Sequence, residues 1–449
     1  MAEGTGMRYF GTDGVRGAVG QHPMTAEFAL RLAGAATRAL LPRGGKVVIG
    51  KDTRVSGYMF ESALEAGFVA AGADVRLSGP LPTPGVALLT RELQADLGVV
   101  ISASHNAYGD NGIKFFKHDG FKLAAEEEAL IESHIEDAAV TLDSTALGQV
   151  RRVDDALERY EQHCLDTVPG DMSLEGVKIV VDCAHGASYR VAPATLTALG
   201  AELVPLGCSP NGRNINDRCG ATEPDLLRRT VTAVEADVGI ALDGDGDRVI
   251  MVDAGGATLN GDMLLLILAL ARKQSGTLAG PVVGTQISSM ALERALQAQG
   301  IAFCRAEVGD RQVVNMLRDQ GGVLGGESSG HILCLDKSTT GDGLLVALEV
   351  LAVMQARRCS LAELAVDMPH TEQANLSVPS NGAGSLGDPG VRQALRAARR
   401  LLGEQGRIVV RPSGTEPVFR IMVEGSDRKR VDKAAEGVAQ ALSPARPAA

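Results

Sequence analysis

The sequence predicts an α/β protein of several domains, in which three similar α/β domains precede a smaller C-terminal α+β domain. Three observations support this fold class. Short apolar strands alternate with helical segments over most of the chain, a pattern typical of mostly parallel sheets covered by helices. The pattern restarts twice, near residues 153 and 256. The 449 residues are also too many for a single hydrophobic core.

The predicted domain boundaries follow from these restarts. We expect α/β domains over residues 1–153, 154–255 and 256–370, and the α+β domain over residues 371–449. The three α/β segments share a pattern of elements, but their sequences are too different to prove a duplication.

The first domain shows the alternation most clearly. Helical periodicity covers residues 26–41, and the apolar residues 47–50 predict a buried strand. A second helix is expected over residues 56–71. Three closely spaced prolines then interrupt regular secondary structure. A third helix near residues 85–92 leads to the apolar run 97–100, which predicts another strand.

The later domains repeat this alternation and then depart from it. The second contains a predicted strand over residues 177–182 and a helix over 191–199, and the third a strand over 281–285 and a helix over 289–299. The last segment changes to short strands and two helices, which is an α+β pattern. Its predicted strands are 373–378, 407–411 and 418–424, and its predicted helices are 391–402 and 429–442.

Composition and charge exclude several classes of partner. The net charge is -11 and aromatic residues make up 3 % with no Trp, which argues against nucleic acid and anionic membranes. The longest apolar run, residues 263–271, is too short to span a bilayer, and no secretory signal pattern is found. Seven cysteines without a C-x-x-C pair are typical of a reducing compartment. We therefore expect a cytoplasmic protein with no nucleic-acid or membrane partner.

The strongest chemical motif is the three-Asp loop, residues 243–248, which reads Asp-Gly-Asp-Gly-Asp-Arg between two apolar runs. Its glycines let the backbone bend so that the three carboxylates converge. Converging carboxylates repel one another unless a cation is bound, and their oxygens suit a hard divalent ion such as Mg²⁺. The alternative is a solvated hairpin turn, but a turn does not require three Asp in strict alternation. The predicted metal ligands are Asp243, Asp245 and Asp247.

A second motif is the Ser104 loop, residues 101–106, which follows the apolar run 97–100 and precedes a turn over residues 108–112. Loops at strand ends are exposed and held by a rigid scaffold, so they commonly present nucleophiles. A phosphate on Ser104 would be a ligand that Mg²⁺ readily shares with carboxylates. On this loop alone, a hydroxyl that only caps a turn or a helix is an equally good interpretation. Lys114 could face the same site, although a single Lys is more often a solvated surface group.

The Glu327 loop, residues 325–331, reads Gly-Gly-Glu-Ser-Ser-Gly-His and lies between two further apolar runs. Glu and Ser side chains on such a loop are suited to hydrogen bonds with sugar hydroxyls or an amine. Residues 326–330 also match the G-x-S-x-G pattern of esterase nucleophiles. That short pattern has a high false-positive rate, and no HGGG-like oxyanion loop accompanies it. We therefore favour sugar recognition over acyl transfer.

The fourth motif is the Arg411 loop, residues 411–417, with Arg420 close behind it. Hydroxyls, backbone N–H groups and two guanidinium groups together are suited to holding an anion. The alternative is a plain connection between strands that carries surface arginines. We favour the anion clamp, because the small C-terminal domain has no other evident purpose.

Taken together and in this order, the four loops resemble those of the α-D-phosphohexomutases. The resemblance covers nearly the whole chain and is closest to the branch that acts on glucosamine phosphates. The chain departs from the family pattern at Ala107, where Pro is usual, and at Ser328, where Gln or Asn is common in that branch. The further segments that carry the closer match are residues 10–17, 48–57, 82–84, 211–216, 308–311 and 339–343.

The resemblance implies a four-domain enzyme with a central cleft to which each domain contributes one loop. Ser104 would carry a phosphate, and that phosphate would bind Mg²⁺ together with the three Asp residues. The resemblance also assigns roles to other residues. The phosphoryl-transfer site would be lined by Arg16, Lys114, Arg248 and His331, the sugar hydroxyls bound by Glu327 and Ser329, and the second phosphate held by Arg411, Ser413, Gly414, Thr415 and Arg420.

The activity implied by the resemblance is an intramolecular phosphoryl transfer that interconverts glucosamine 6-phosphate and glucosamine 1-phosphate. A hexosamine 1,6-bisphosphate would be the intermediate or activator, and the product would supply amino-sugar precursors for the bacterial cell envelope. The hydroxyl proton would pass to Lys114 or His331. Three alternatives stay open: a mutase that prefers mannose or glucose phosphates, a Mg²⁺-dependent sugar phosphatase, and a non-catalytic sugar-phosphate binding protein. The expected assembly is a homodimer.

Overall fold

The computed structural model describes residues 8–11, 13–138, 141–380, 385–413 and 418–443. Within these residues the chain forms three α/β/α domains and a C-terminal domain with an antiparallel sheet, so the predicted fold class is confirmed. Each domain is built on one sheet. In chain order, the sheets contain six, five, four and three strands.

The first sheet combines a parallel centre with an antiparallel edge. Its strands are β1 (Val15–Ala18), β2 (Gly45–Lys51), β3 (Ala73–Pro80), β4 (Leu97–Ile101), β5 (Asp110–Lys117) and β6 (Val150–Arg152), and its helices are α1 (Ala26–Leu40), α2 (Val55–Ala70), α3 (Thr83–Glu92) and α4 (Ala125–Ser133). The order is β1-β5-β4-β2-β3-β6, with β5 antiparallel to both neighbours and the other pairs parallel. Residues 47–49 of β2 are completely buried, as expected of an apolar run covered by helices on both faces.

The second domain follows helix α5 (Ala156–Asp166) and repeats this arrangement. Its strands are β7 (Lys178–Asp182), β8 (Glu202–Leu206), β9 (Val238–Leu242), β10 (Val249–Asp253) and β11 (Thr258–Leu259), and its helices are α6 (Val191–Ala198) and α7 (Asp225–Ala233). The order is β11-β10-β9-β7-β8. Strand β7 is parallel to β8 and β9, whereas β10 is antiparallel to β9 and β11.

The third domain has the smallest of the three mixed sheets. Its strands are β12 (Val282–Thr285), β13 (Phe303–Ala306), β14 (Leu324–Gly326) and β15 (Ile332–Cys334), and its helices are α8 (Gly261–Ser275), α9 (Met290–Ala298), α10 (Asp310–Gln320), α11 (Gly343–Arg357) and α12 (Leu361–Leu364). The order is β13-β12-β14-β15, with only the β14–β15 pair antiparallel.

The C-terminal domain packs two helices against a fully antiparallel sheet. Its strands are β16 (Glu372–Pro379), β17 (Arg407–Pro412) and β18 (Val418–Gly425), and its helices are α13 (Pro389–Leu402) and α14 (Arg428–Leu442). The order is β16-β18-β17. Burial alternates along β16, which is typical of a strand with one face on the core and one face in solvent.

Each of the four loops joins two neighbouring antiparallel strands. The Ser104 loop connects β4 to β5, the three-Asp loop β9 to β10, the Glu327 loop β14 to β15, and the Arg411 loop β17 to β18. In the three α/β/α domains, the strand before the loop is also paired in parallel with a central strand. These loops therefore leave the sheets at the carboxyl ends of parallel strands, where open α/β sheets bind their ligands.

One hydrophobic core runs through the three α/β/α domains. Val48, Ile240 and Leu344, one from each of these domains, are buried in the same cluster. Ile421 and Val431 belong instead to a separate cluster whose residues all come from the C-terminal domain. The first three loops are thus fixed on one packed body, and the Arg411 loop is carried by a body with its own core.

The described helices include none with the length and apolar character needed to cross a bilayer. The longest apolar run of the sequence, residues 263–271, lies inside α8 and packs into the shared core. The seven cysteines are all free thiols, and Cys183 and Cys334 are among the buried ones.

Candidate active site

Ser104 lies just beyond the end of β4, with its backbone in the left-handed region at a φ of 50°. Its buried hydroxyl donates a 2.5 Å hydrogen bond to Asp243 Oδ2 in the second domain. His105 Nδ1 lies 3.3 Å from the same hydroxyl oxygen. Burial, with Arg248 and Arg16 nearby, lowers the pKa of His105 to about 4, so its imidazole is neutral near pH 7.

The three-Asp loop brings its carboxylates together. One oxygen each of Asp243, Asp245 and Asp247 lies within 4.8 Å of the other two, and all three side chains are buried. Gly244 makes the approach to Ser104 possible, because a Cβ there would lie 2.5 Å from the Ser104 carbonyl oxygen. The loop therefore forms a possible metal site directly against Ser104.

Two carboxylate oxygens of this loop are suited to a bound cation. Asp245 Oδ1 and Asp247 Oδ1 are buried and accept no hydrogen bond from the described residues. Burial and repulsion from Asp247 and Asp245 hold the pKa of Asp243 well above its ordinary value. A divalent cation would give these oxygens the partner they lack, and carboxylate oxygens are the ligands that hard divalent ions prefer.

Lys114 is a buried ion-pair partner of the same loop, and not a solvated surface group. Its Nζ lies 2.7 Å from Asp245 Oδ2, 3.2 Å from Asp13 Oδ2 and 3.6 Å from Asp247 Oδ2. Burial opposes its charge, but the three carboxylates outweigh burial and hold the pKa of Lys114 above its ordinary value. Thr83 Oγ1 also fixes Asp245, through a 2.7 Å hydrogen bond to Oδ2. Lys114 therefore contributes a fixed positive charge to the site.

Three residues that were not predicted as site residues extend this set of charges into the third domain. Lys122 Nζ contacts the carboxylates of both Asp13 and Asp310. Asp310 Oδ2 lies 3.9 Å from His331 Nε2, and His331 Nδ1 lies 3.6 Å from Asp247 Oδ1. Acidic and basic groups therefore alternate around a ring that links the first and third domains to the three-Asp loop. Asp13 and Asp310 lie in sequence segments that carry the family resemblance, and this was the sequence signal that could have identified them as site residues.

Arg16 and Arg248 flank the three-Asp loop. The Nε atoms of both side chains are buried with no hydrogen-bond partner in the described part of the chain. Arg248 Nε lies 3.8 Å from Asp247 Oδ1, and Arg16 pairs with Asp13. Both arginines also lower the pKa of His105, the residue that follows Ser104.

The Glu327 loop is a tight connection that packs onto the strand after the three-Asp loop. The Glu327 N–H donates a 2.9 Å hydrogen bond to the His331 carbonyl, which closes the loop. Gly330 is required where the loop meets β10, because its φ is +93° and a Cβ there would collide with the Val249 carbonyl. Glu327 is half-buried, with Oε1 accepting a 3.2 Å hydrogen bond from the Gly309 N–H, and Ser329 is exposed.

The Arg411 loop lies on the C-terminal domain, and the structure describes only part of it. Arg411 and Arg420 face each other in register on β17 and β18. The Arg411 Nε is buried and has no hydrogen-bond partner among residues 8–11, 13–138, 141–380, 385–413 and 418–443, as suits a donor for a bound anion. Ser413 directly follows β17. Gly414 and Thr415 lie outside the described residues.

Comparison with known proteins identifies the family. Models of the phosphoglucomutase/phosphomannomutase α/β/α domains I, II and III match residues 7–141, 158–256 and 260–371, and the C-terminal domain model matches residues 375–441. A phosphoglucosamine mutase from Thioalkalivibrio sulfidiphilus is 56 % identical over 440 residues, which cover 97 % of this chain and 98 % of that protein. The chain belongs to the phosphoglucosamine mutases. It is therefore an isomerase of the α-D-phosphohexomutase superfamily.

Further comparisons agree with this assignment. A second phosphoglucosamine mutase, from Alkalilimnicola ehrlichii, is 52 % identical over 436 residues, with 97 % of each protein covered. A putative phosphomannomutase from Thermus thermophilus has the same fold, with a TM-score of 0.80 at 26 % identity over 96 % of this chain and 98 % of that one. An Aspergillus fumigatus N-acetylphosphoglucosamine mutase, solved with GlcNAc-6P and magnesium, has a TM-score of 0.68 at 16 % identity over 98 % and 96 % of the two chains.

Proposed function

We propose that this mutase interconverts glucosamine 6-phosphate and glucosamine 1-phosphate by way of a phosphate carried on Ser104. The observation that carries the proposal is the 2.5 Å hydrogen bond from Ser104 Oγ to Asp243, inside a buried cluster of three carboxylates. A hydroxyl that only capped a turn would need no such cluster. The phosphoglucosamine mutases that are 56 % and 52 % identical support the choice of sugar.

The proposed metal is Mg²⁺, held by Asp243, Asp245 and Asp247 together with the phosphate on Ser104. Two observations support it: the two buried carboxylate oxygens without a hydrogen bond, and the magnesium reported for the Aspergillus fumigatus enzyme. When bound, such an ion withdraws negative charge from the phosphoryl group and from its leaving oxygen.

The reaction consists of two phosphoryl transfers at Ser104. In the first, the bond from phosphorus to Ser104 Oγ breaks, a bond from phosphorus to O1 of glucosamine 6-phosphate forms, and the O1 proton ends on Oγ. The glucosamine 1,6-bisphosphate then turns around within the cleft. In the second, Oγ takes the 6-phosphoryl group, O6 takes up the proton, and glucosamine 1-phosphate leaves. Ser104 is thus phosphorylated both before and after each turnover.

Phosphate monoesters react extremely slowly unaided, so the site must position the groups and offset their charge. Arg16, Lys114 and Arg248 supply fixed positive charge around the transferring group. We assign the handling of the hydroxyl proton to His331, because its buried Nε2 has no hydrogen-bond partner within the described residues. The Lys114 Nζ, by contrast, is already shared among three carboxylates.

The other two loops would hold the sugar and its second phosphate. The Glu327 carboxylate can accept hydrogen bonds from sugar hydroxyls and can pair with the ammonium group of glucosamine, and Ser329 can add a hydroxyl contact. Arg411 and Arg420 would hold the phosphate that is not being transferred, through charge-assisted hydrogen bonds. Ser413, Gly414 and Thr415 complete the proposed clamp.

Mass spectrometry of the purified protein with peptide mapping tests this function. We expect phosphate on the peptide that contains Ser104, and loss of mutase activity in Ser104→Ala at an unchanged thermal midpoint. Ser102→Ala is a less suitable control, because Ser102 is hydrogen-bonded to the Ser104 backbone. Ser133→Ala on the surface of α4 is the better one, and it should keep wild-type activity. Phosphate on another residue, with full activity in Ser104→Ala, would overturn the proposal.

Substrate assays distinguish the remaining alternatives. A higher kcat/KM for mannose or glucose phosphates than for glucosamine 6-phosphate would indicate a different sugar preference. Steady release of inorganic phosphate without isomerisation would indicate a phosphatase. The homodimer stays a prediction, which sedimentation equilibrium of the purified chain would check.

A further inference from the structure

The backbone of Ser104 is held at both of its polar groups. Its φ of 50° lies in the left-handed region, which a residue with a side chain adopts only when its surroundings enforce it. The Ser104 N–H donates a 2.9 Å hydrogen bond to Ser102 Oγ. The Ser104 carbonyl accepts hydrogen bonds from Arg54 Nη2 at 2.9 Å and from Asn216 Nδ2 at 2.8 Å. Two side chains distant in sequence therefore converge on one carbonyl group.

Arg54 holds the Ser104 loop from inside the first domain. The whole residue is buried, and its guanidinium group donates to the carbonyls of Ser104, Asn106, Ala107 and Asp110. A planar guanidinium with five donors in fixed directions can bind several carbonyls of one curved segment, which an ammonium group cannot do with the same geometry. Arg54 therefore sets the curvature of the loop.

The counter-ion of Arg54 acts on the same loop. Asp52 Oδ2 lies 2.8 Å from Arg54 Nε, and both side chains are fully buried. The same oxygen accepts a 2.6 Å hydrogen bond from Ser102 Oγ, which in turn accepts the Ser104 N–H. The buried pair thus reaches Ser104 along two routes, through its carbonyl and through its N–H.

Asn216 holds the loop from the second domain. Its Nδ2 is shared between the carbonyls of Ser104 at 2.8 Å and Asn106 at 2.9 Å. Its own N–H donates to the Ala184 carbonyl at 2.9 Å, and its Nδ2 would lie 2.8 Å from a Cβ at Gly244. Asn216 is therefore anchored in the domain that carries the three-Asp loop, and it touches both that loop and the Ser104 loop.

We propose that Arg54 and Asn216 are positioning residues for the phosphoryl transfer: they hold the backbone of Ser104 from two domains, so that Oγ stays against the three-Asp loop. The proposal rests on the phosphate-carrying role of Ser104 proposed above. Both side chains bind the Ser104 carbonyl and neither is hydrogen-bonded to Oγ, so we expect their effect on the rate of transfer and not on substrate binding. A displacement of about 1 Å at a reacting atom can cost about 10²-fold in rate.

Asn216→Gly is the most direct test. Asn216 has a φ of 57°, a conformation that Gly adopts without strain, so the variant removes the amide and leaves the backbone path intact. Arg218→Gly is the matched control, because Arg218 has a φ of 54° in the same segment and a side chain that is 92 % exposed. Arg54→Lys tests the positioning role of Arg54, since it keeps the charge but loses the planar set of donors.

The measurement is a single-turnover reaction of enzyme phosphorylated beforehand with labelled phosphate. We expect Asn216→Gly to lower the rate constant of transfer about 10- to 100-fold with KM for glucosamine 6-phosphate changed by less than about 2-fold, and Arg218→Gly to match wild type. A purely structural role would instead lower the amplitude and the thermal midpoint, and would leave the rate constant unchanged. If Arg54→Lys does not fold, the Asn216→Gly rate constant still decides the outcome.

The test separates this inference from the proposed function. Phosphate mapped to Ser104 together with a wild-type rate constant in Asn216→Gly would overturn the positioning role and leave the phosphate carrier in place. Labelled phosphate on a different residue of the wild-type protein would overturn both. Phosphate on Ser104 with a slowed transfer and an unchanged KM would support both.

Discussion

The three α/β/α domains and the C-terminal domain are joined in different ways. The first three share one continuous apolar core, whereas the C-terminal domain packs a core of its own. Hydrogen bonds connect the C-terminal domain to the third domain. Arg407 donates to the carbonyls of Gln286 and Ser288, and Arg294 Nη2 donates to the Glu404 carbonyl at 3.3 Å.

Glu424 is the centre of this polar junction. Its side chain is only 1 % exposed, and Oε2 accepts hydrogen bonds from Arg407 Nε at 2.7 Å and from the Met290 N–H at 3.3 Å. Glu424 thereby binds the first turn of α9 in the third domain to β17 of the C-terminal domain. The Arg407–Glu424 ion pair gives the junction a defined geometry but buries little apolar surface.

The difference explains which parts of the site are fixed and which can move. Domains joined by an apolar core stay together, because separating them exposes apolar surface to water. Domains joined by a few polar contacts can rotate, since water can replace those contacts at small net cost. Three loops are therefore fixed relative to one another, and the Arg411 loop stands on the part that can move. The proposed bisphosphate intermediate, which has to turn around without leaving the cleft, would need both properties.

The largest expected effect lies in the fixed part. Asp245→Asn keeps the shape of the side chain but removes a charge that faces Lys114 and the proposed metal. We expect kcat to fall by about 10³-fold or more and the Mg²⁺ concentration for half-maximal activity to rise. A titration of kcat against Mg²⁺ measures both. The control is Asp217→Asn, an exposed acid of the same domain; wild-type kcat in Asp245→Asn would contradict a metal at this loop.

The second effect concerns the junction itself. Arg407→Met removes the partner of Glu424 and leaves a buried carboxylate unpaired, which should weaken docking of the C-terminal domain by about 2–4 kcal/mol. In differential scanning calorimetry we expect a separate transition for that domain at lower temperature, with the main transition unchanged. Arg400→Met on the exposed face of α13 is the control. One unshifted transition in Arg407→Met would show that apolar contacts hold the junction.

The third effect is a dependence of stability on pH within the shared core. Asp342 caps α11 and accepts a 2.8 Å hydrogen bond from the Tyr160 hydroxyl. Burial raises the pKa of Asp342 to about 6, from a model-peptide value of 3.8. The folded state therefore keeps its proton where the unfolded chain has lost it. The resulting stabilisation is fully present below about pH 4 and is lost as pH rises to about 6.

Asp342→Asn removes this titration and keeps an oxygen for the helix cap and for Tyr160. We expect the variant to exceed wild type in free energy of unfolding by about 2–3 kcal/mol at pH 8, with the difference vanishing near pH 4. Urea unfolding at a series of pH values measures it. The gain should appear in the transition of the three-domain body and not in that of the C-terminal domain. Equal stabilities at pH 8 would mean that the native carboxylate ionises without cost.

The smallest expected effect lies in the part that can move. Arg411→Lys keeps a positive charge but loses bidentate contact with a phosphate, so we expect KM for glucosamine 6-phosphate to rise about 10- to 30-fold with kcat within about 3-fold of wild type. Steady-state kinetics with both sugar phosphates provide the measurement. A fall in kcat at constant KM would instead place Arg411 at the transferring phosphate.

Much of the fold was predictable, because it depends on residues that are neighbours in sequence. The strands and helices predicted from the alternation of apolar strands with helical segments have ends within one or two residues of those observed, as for α1 at Ala26–Leu40 against a predicted 26–41. The three-Asp loop was predictable for the same reason, since its three carboxylates alternate with glycines in one short segment. The chemistry of a loop can be predicted from sequence where its ligand residues lie close together in the chain.

Other parts of the site could not be predicted from spacing. Spacing alone left Lys114 either facing the site or solvated at the surface, and the structure buries it among carboxylates of two domains, more than 100 residues away in the chain. Asp13, Lys122 and Asp310 meet only because the first and third domains pack together. Asn216 lies in residues 211–216, a segment that carries the family resemblance, but the contact of its amide with the loop of another domain is not visible in the local sequence.

Local sequence was sufficient for the fold class and for locating the four loops, because strand periodicity and glycine placement are short-range properties. The tertiary structure alone decided which charges oppose each other, which groups hold Ser104 in a left-handed conformation, and which domains share a core. These depend on how separate sheets share one apolar core, and on where that core stops at the polar junction around Glu424.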